Sequence, residues 1–122
     1  MPMYEWNHIA ITVDNVGKTA KMFVDGSLHK TKNFTGNSGA NFGNLQFGDW
    51  ENNGLYQLYG SLDEISIWDV ALAESEIQTY MNCPPTGNES GLVGYWNFEE
   101  GSGNVALDLT ANVPVSSIDR LA

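Results

Sequence analysis

The run Gly60-Ser61-Leu62-Asp63-Glu64-Ile65-Ser66-Ile67-Trp68-Asp69 limits the folds open to this chain more than any other stretch. It predicts a strand over residues 60–68. Leu62, Glu64, Ser66 and Trp68 fall on one face, and Asp63, Ile65 and Ile67 on the other. An acid pointing the same way as two isoleucines needs a reason. Either it stands beyond the edge of the core in water, or a partner neutralises it there.

The segments before this strand read as a β-meander. Trp6 to Val13 predicts a strand with apolar residues on both faces, Ile9, Ile11 and Val13 on one and Trp6, Ala10 and Thr12 on the other. Two covered faces imply a central strand of a sandwich. His8, with no second His or Cys near it in sequence, reads as a structural histidine. Asp14-Asn15-Val16-Gly17-Lys18 is a turn, Ala20 to Val24 the next strand, and Asp25-Gly26 a two-residue hairpin signal before Ser27 to Lys32 returns. Lys18, Lys21, Lys30 and Lys32 lie in this hairpin or its approach, where lysine discourages edge pairing.

Residues 33–44 are rich in Gly, Asn and Ser and predict a loop; Leu45-Gln46-Phe47-Gly48 predicts a short strand. The stretch from Asp49 to Tyr59 is a loop of aromatics, acids and amides. Trp50, Tyr56 and Tyr59 can stack on a sugar while Asn52 bonds its hydroxyls; equally, the rings can cover the sandwich edge. Glu74 to Met81 predicts a short helix with Leu72, Ile77 and Met81 as apolar contacts and acids in its first turn. Pro84-Pro85 ends it, and residues 83–91 read as a linker.

Three of these segments together carry a family resemblance. Trp6-Asn7-His8-Ile9-Ala10, Val24-Asp25-Gly26, and Leu62-Asp63-Glu64-Ile65-Ser66-Ile67-Trp68 followed by Ala71-Leu72-Ala73-Glu74-Ser75-Glu76-Ile77 resemble the second half of a laminin-G-like domain. That family is one of the concanavalin A-like lectin and glucanase jelly rolls. Further on, Leu92-Val93-Gly94-Tyr95-Trp96-Asn97-Phe98-Glu99-Glu100-Gly101-Ser102-Gly103 resembles the first strand and turn of the same family, which normally open a domain. Ala111 to Arg120 departs from the family's usual Gly- and Asn-rich continuation.

The resemblance implies an all-β, antiparallel jelly-roll sandwich, truncated or circularly permuted, with one short helix. Residues 1–82 are the C-terminal half of a sandwich, 83–91 a linker, 92–110 a first-strand motif, and 111–122 a tail, either a variant strand or disordered. The first-strand motif completes the sandwich in cis, or in a partner chain as a strand-swapped dimer. A ten-residue linker spans ~30 Å when extended, enough for closure in cis. An incomplete sandwich exposes edges and apolar surface, which favours homo-oligomers.

The jelly-roll group commonly holds a structural calcium between its opening turn and the Asp of its last strand. That implies a metal site of Asp63, Glu99 and Gly101, with Asp108 as a further ligand. Calcium takes six to eight hard oxygens, and a Gly-rich turn lets carbonyls point inward. The alternative is a metal-free Asp63 accepting backbone N–H bonds from the turn over Glu100 to Asn104. A jelly-roll glucanase is the enzymatic alternative. Retaining glycosidases need two carboxylates about 5–5.5 Å apart, and that family's E-x-D-x-x-E strand motif does not occur here.

Charge and length narrow the rest. Fifteen acidic against five basic residues in 122 give a formal charge of −10, which argues against nucleic acid or an anionic membrane as partner. The length suits one domain. One cysteine, Cys83, makes no internal disulfide, and no apolar run is long enough to span a membrane. With no leader at its start, the chain reads as the interior of a longer secreted or cell-surface protein built of tandem repeats. The expected function is a non-catalytic lectin-like or adhesion module that binds carbohydrate or a cell-surface protein, with calcium as a structural cofactor. A structural spacer repeat without ligand is the alternative.

Overall fold

The computed structural model describes residues 4–36, 46–48, 57–110 and 117–119, the last three by backbone alone. Strands β1 (Ile9–Asp14), β2 (Thr19–Val24) and β3 (Ser27–Asn33) form an antiparallel sheet in that order. Local chemistry sets both turns. The Asp14 carboxylate accepts the Val16 and Gly17 N–H groups at 2.9 and 3.0 Å, an Asx turn that reverses the chain. Asp25 and Gly26 both hold positive φ, 50° and 80°, the geometry of the type I′ hairpin that Asp-Gly favours. Asp25 also ties the hairpin to the start of β1: its N–H donates to the His8 carbonyl, and its carboxylate accepts the His8 N–H.

Among the described residues β1 has one ladder partner, β2, and so stands at an edge of the three-stranded sheet rather than at its centre. Ile9, Ile11 and Val13 are 41, 69 and 42% exposed. Apolar residues at alternate positions predict a face that excludes water; they do not say which segment covers it. Phe23, on the opposite face of the sheet, is buried.

Strand β4 (Ile65–Trp68) is shorter than the alternation predicts. Glu64 has φ +54°, a left-handed conformation that interrupts an extended strand. The face shared by Asp63 with Ile65 and Ile67 is therefore not that of one continuous strand. Helix α1 (Glu74–Asn82) follows, with Glu74 and Glu76 in its first turn, where acids complement the helix dipole. Glu76 reaches back to accept the Ala73 N–H at 3.1 Å. Ile77 is the buried contact of α1, and Tyr80 packs on Trp68 with ring centroids 4.8 Å apart. Gln78 donates to the Gly26 carbonyl at 3.0 Å, binding the helix to the hairpin turn.

Strand β5 (Leu92–Trp96) pairs antiparallel with β4, Ile65 opposite Trp96 and Ile67 opposite Gly94. Among the described residues, Leu92, Tyr95, Trp96, Ile77, Phe23 and Ala106 are the buried apolar ones. The Trp96 ring meets Phe47 edge-on at 5.6 Å. Gln46, Phe47 and Gly48 are not in a strand, so the strand expected there is not seen over its described residues. The segment leading to β5 is an ordered turn: the Glu89 carboxylate accepts the N–H groups of Thr86, Gly87 and Asn88 and the Thr86 hydroxyl. Those bonds favour the charged form and hold the Glu89 carboxyl below its usual range. Strands β6 (Val105–Leu107) and β7 (Ser117–Asp119) make a third antiparallel sheet. The described fold is mostly β, antiparallel throughout, with one short helix, which is the class the sequence leads one to expect.

Candidate functional site

The clearest cluster of chemical groups lies where β4 and β5 begin and end. The left-handed turn at Glu64 throws its side chain beside that of Asp63, and Phe98, also left-handed at φ +56°, brings Glu99 round from the far end of β5. The result is three exposed carboxylates, Asp63, Glu64 and Glu99, with one oxygen from each within 4.8 Å of the others. Asp63 accepts the N–H of Glu64 at 2.9 Å. The Tyr95 hydroxyl donates to the Glu64 carboxylate.

Burial raises the Tyr95 pKa first; the hydrogen bond to Glu64 and the negative charges of Glu64, Asp63 and Glu99 raise it further. A tyrosine titrates near ~10 in the unfolded chain. Above that pH the unfolded state sheds its proton while the folded state keeps it, so stability is complete below pH ~10 and falls as pH rises beyond it. The urea midpoint of the wild-type chain is therefore expected to drop more steeply above pH ~10 than that of Tyr95→Phe. Parallel curves for the two would remove Tyr95 from the account.

The four residues expected to hold a metal do not all meet. Asp63 and Glu99 do, joined by Glu64, which sequence reasoning missed. Strict alternation put Glu64 on the opposite face from Asp63; a non-glycine residue at positive φ cannot be read from the pattern. Asp108 is engaged elsewhere. Its Oδ1 accepts the Tyr95 N–H at 3.0 Å and the Thr110 N–H and hydroxyl, both at 2.9 Å. Gly101 follows Glu99 by two residues in an exposed turn at φ +76°. Of the residues expected to stack on or bond a sugar, Tyr59 is 96% exposed; Trp50, Asn52 and Tyr56 lie outside the described residues.

Apart from this cluster, a concavity of about 300 Å³ opens between the sheet and the start of α1. Phe23, Leu28 and Leu72 give it an apolar base; Asp14, Lys21 and Glu74 supply charge. Local pattern cannot reveal it, because its two walls are some fifty residues apart along the chain. On the same sheet His8 is half-buried and its Nδ1 has no hydrogen-bond partner. Burial lowers its pKa, against the opposing pull of Asp25. Cys83 is a free, exposed thiol, and no helix among the described residues is long and apolar enough to cross a membrane.

No curated protein matches the chain. Two solved structures do. A Bacteroides ovatus protein, provisionally designated a carbohydrate binding protein, aligns over all of this chain and 38% of its own, with a TM-score of 0.65 and 20% identity. That likeness shows the fold alone. An S-layer domain-containing protein from Clostridium thermocellum (residues 221–444) aligns over 65% of this chain and 40% of its own, with 25% identity and a TM-score of 0.46, too low to carry an argument. The chain spans about two fifths of the length of each. The laminin G family model described as "Concanavalin A-like lectin/glucanases superfamily" matches residues 2–78. With more than half its length matched, the chain belongs to the concanavalin A-like lectin/glucanase superfamily.

Proposed function

We propose that the chain is a non-catalytic, lectin-like binding module of a surface or secreted protein, taking carbohydrate as its ligand. The observation that carries this reading is the fold shared over the whole chain with a protein designated carbohydrate binding. It is supported by the lack of the paired-carboxylate strand motif of the jelly-roll glucanases. Exposed Tyr59 offers a stacking surface in the loop region expected to form the rim. The decisive experiment is a glycan array followed by calorimetry on the best hit, with Tyr59→Ala as comparison. Binding weakened about tenfold by that change, roughly 1.4 kcal/mol, supports the reading; an array without hits favours a structural spacer.

Calcium is proposed as a stabiliser of the same module. Asp63, Glu64 and Glu99 offer only hard carboxylate oxygens, the donor type calcium prefers to softer metals' nitrogen and sulfur. Each keeps oxygen lone pairs free beyond the bonds described above. The ion would neutralise three clustered negative charges, with the Gly101 carbonyl as a further donor. Extracellular calcium modules work at about 10⁻⁴–10⁻³ M, so added millimolar calcium is expected to raise the melting temperature and EDTA to reverse the rise. Asp63→Asn is expected to abolish the response. A melting temperature indifferent to both calcium and EDTA rejects the ion.

A further inference from the structure

The concavity between the sheet and α1 has a floor set by a break in the strand register. Lys21 and Phe23 stand two apart on β2 and share the face that lines the cleft. The ladder pairs Met22 with Lys30 and then Phe23 with Leu28, passing over His29. In unbroken register His29 would stand opposite Phe23. The bulge sets Leu28 there instead, on the face of Phe23, and makes the floor apolar. Helix α1 supplies the opposite wall. Its later turns press on the hairpin: a Cβ on Gly26 would fall 3.0 Å from the Gln78 Cγ and 3.3 Å from the Met81 Cε. Its start is braced by the bond from the Ala73 N–H to Glu76. Leu72 and Glu74 meet the strands across the gap. Every lining residue lies within the span 2–78 that the family model matches.

The groups around this floor select a ligand. Asp14 is held in one orientation, its Oδ1 accepting the Val16 and Gly17 N–H groups. Those bonds keep its carboxyl below the usual range, and Lys21 and Lys18 add to the effect. Carboxylates at Asp14 and Glu74 accept hydroxyl protons, and the Lys21 ammonium donates. A pyranose has the matching form, with C–H groups on its faces and hydroxyls around its edge. Two acids against one base leave the rim with an excess negative charge, on a chain of formal charge −10, which disfavours an acidic sugar. About 300 Å³ is the share of about ten waters at ~30 Å³ each, room for one ring and not for a row of them.

We infer that this cleft binds a single neutral pyranose at the end of a glycan, its apolar face on Phe23, Leu28 and Leu72 and its hydroxyls on Asp14, Lys21 and Glu74. The inference rests on the carbohydrate reading above and gives it a site outside the loop of Tyr59.

Titration of the isotope-labelled 122-residue chain with methyl glycosides of neutral hexoses, followed by NMR, is expected to shift the backbone amides of Phe23, Leu28 and Glu74 saturably. Leu28→Trp, which fills the cleft from an exposed position of β3, should weaken binding at least about tenfold. Glu74→Gln keeps the shape but removes a charged acceptor, and should weaken it about fivefold. If Leu28→Trp fails to fold, Glu74→Gln decides alone. Methyl glucuronide should bind more weakly than the neutral glycosides, and Tyr59→Ala should leave the cleft shifts in place. A chain that takes array glycans but shows no shifts in the cleft overturns the inference and leaves the carbohydrate reading standing. So does glycoside binding indifferent to both cleft variants. The glucuronide binding tightest overturns the neutral ligand. No response to any glycan or glycoside overturns the inference and the reading together.

Discussion

A chain ending at Asn82 is expected to lose its cooperative unfolding transition. Leu92, Tyr95, Trp96 and Ala106, four of the six buried apolar residues described, lie beyond that point, and β4 would lose β5, its ladder partner. Burial of each large side chain contributes about 1.5–3 kcal/mol. Losing three of them, and the β4 backbone bonds as well, removes an amount comparable with the ~5–15 kcal/mol that holds a domain folded. Urea titration followed by tryptophan fluorescence and far-UV circular dichroism checks this. A truncated chain that unfolds cooperatively at the wild-type midpoint would mean that the β4–β5 ladder contributes nothing.

Gly87→Ala is expected to destabilise the full chain by about 2–4 kcal/mol, the range of a severe local substitution. Gly87 is buried at φ +113°, and a Cβ built there falls 2.3 Å from the Leu109 carbonyl oxygen. The obstacle is backbone, and Leu109 is held by its N–H bond to the Tyr95 carbonyl at 2.8 Å. Leu109 cannot move aside without breaking that bond to β5. Gly101→Ala is the matched comparison. Its φ is +76°, yet nothing lies within 4 Å of the added carbon, so it should cost only the backbone term of about 1–2 kcal/mol. Equal losses for the two, measured by chemical denaturation, would show that the Leu109 contact does not matter.

Much of the architecture is legible in local pattern. Asp25-Gly26 between two alternating runs specifies a hairpin, and the i, i+4 spacing of Ile77 and Met81 with early acids specifies α1. The pairing of Leu92–Trp96 with Ile65–Trp68 is of another kind; nothing local demands it, and the resemblance to opening and closing strands of one family prompts it. Reading fails where a residue takes an unusual conformation or where a side chain serves a distant backbone. Glu64 shortens β4 and enters the acidic cluster through a positive φ that no alternation reveals. Asp108, a sensible ligand by motif, instead spends its carboxylate on Tyr95 and Thr110. Glu89, which looks like a linker residue, orders the whole turn before β5. Apolar character on two faces of β1 indicates what a strand can bury, not what lies beside it.

The bond from Gln78 to the Gly26 carbonyl joins residues 52 positions apart in sequence. Closing so long a loop is entropically slow, and such non-local contacts lengthen folding. During synthesis the hairpin emerges well before the helix that locks its turn. The first three strands therefore leave the ribosome as a provisional meander, and acquire their final anchor only once Gln78 has been made and α1 has wound beside them.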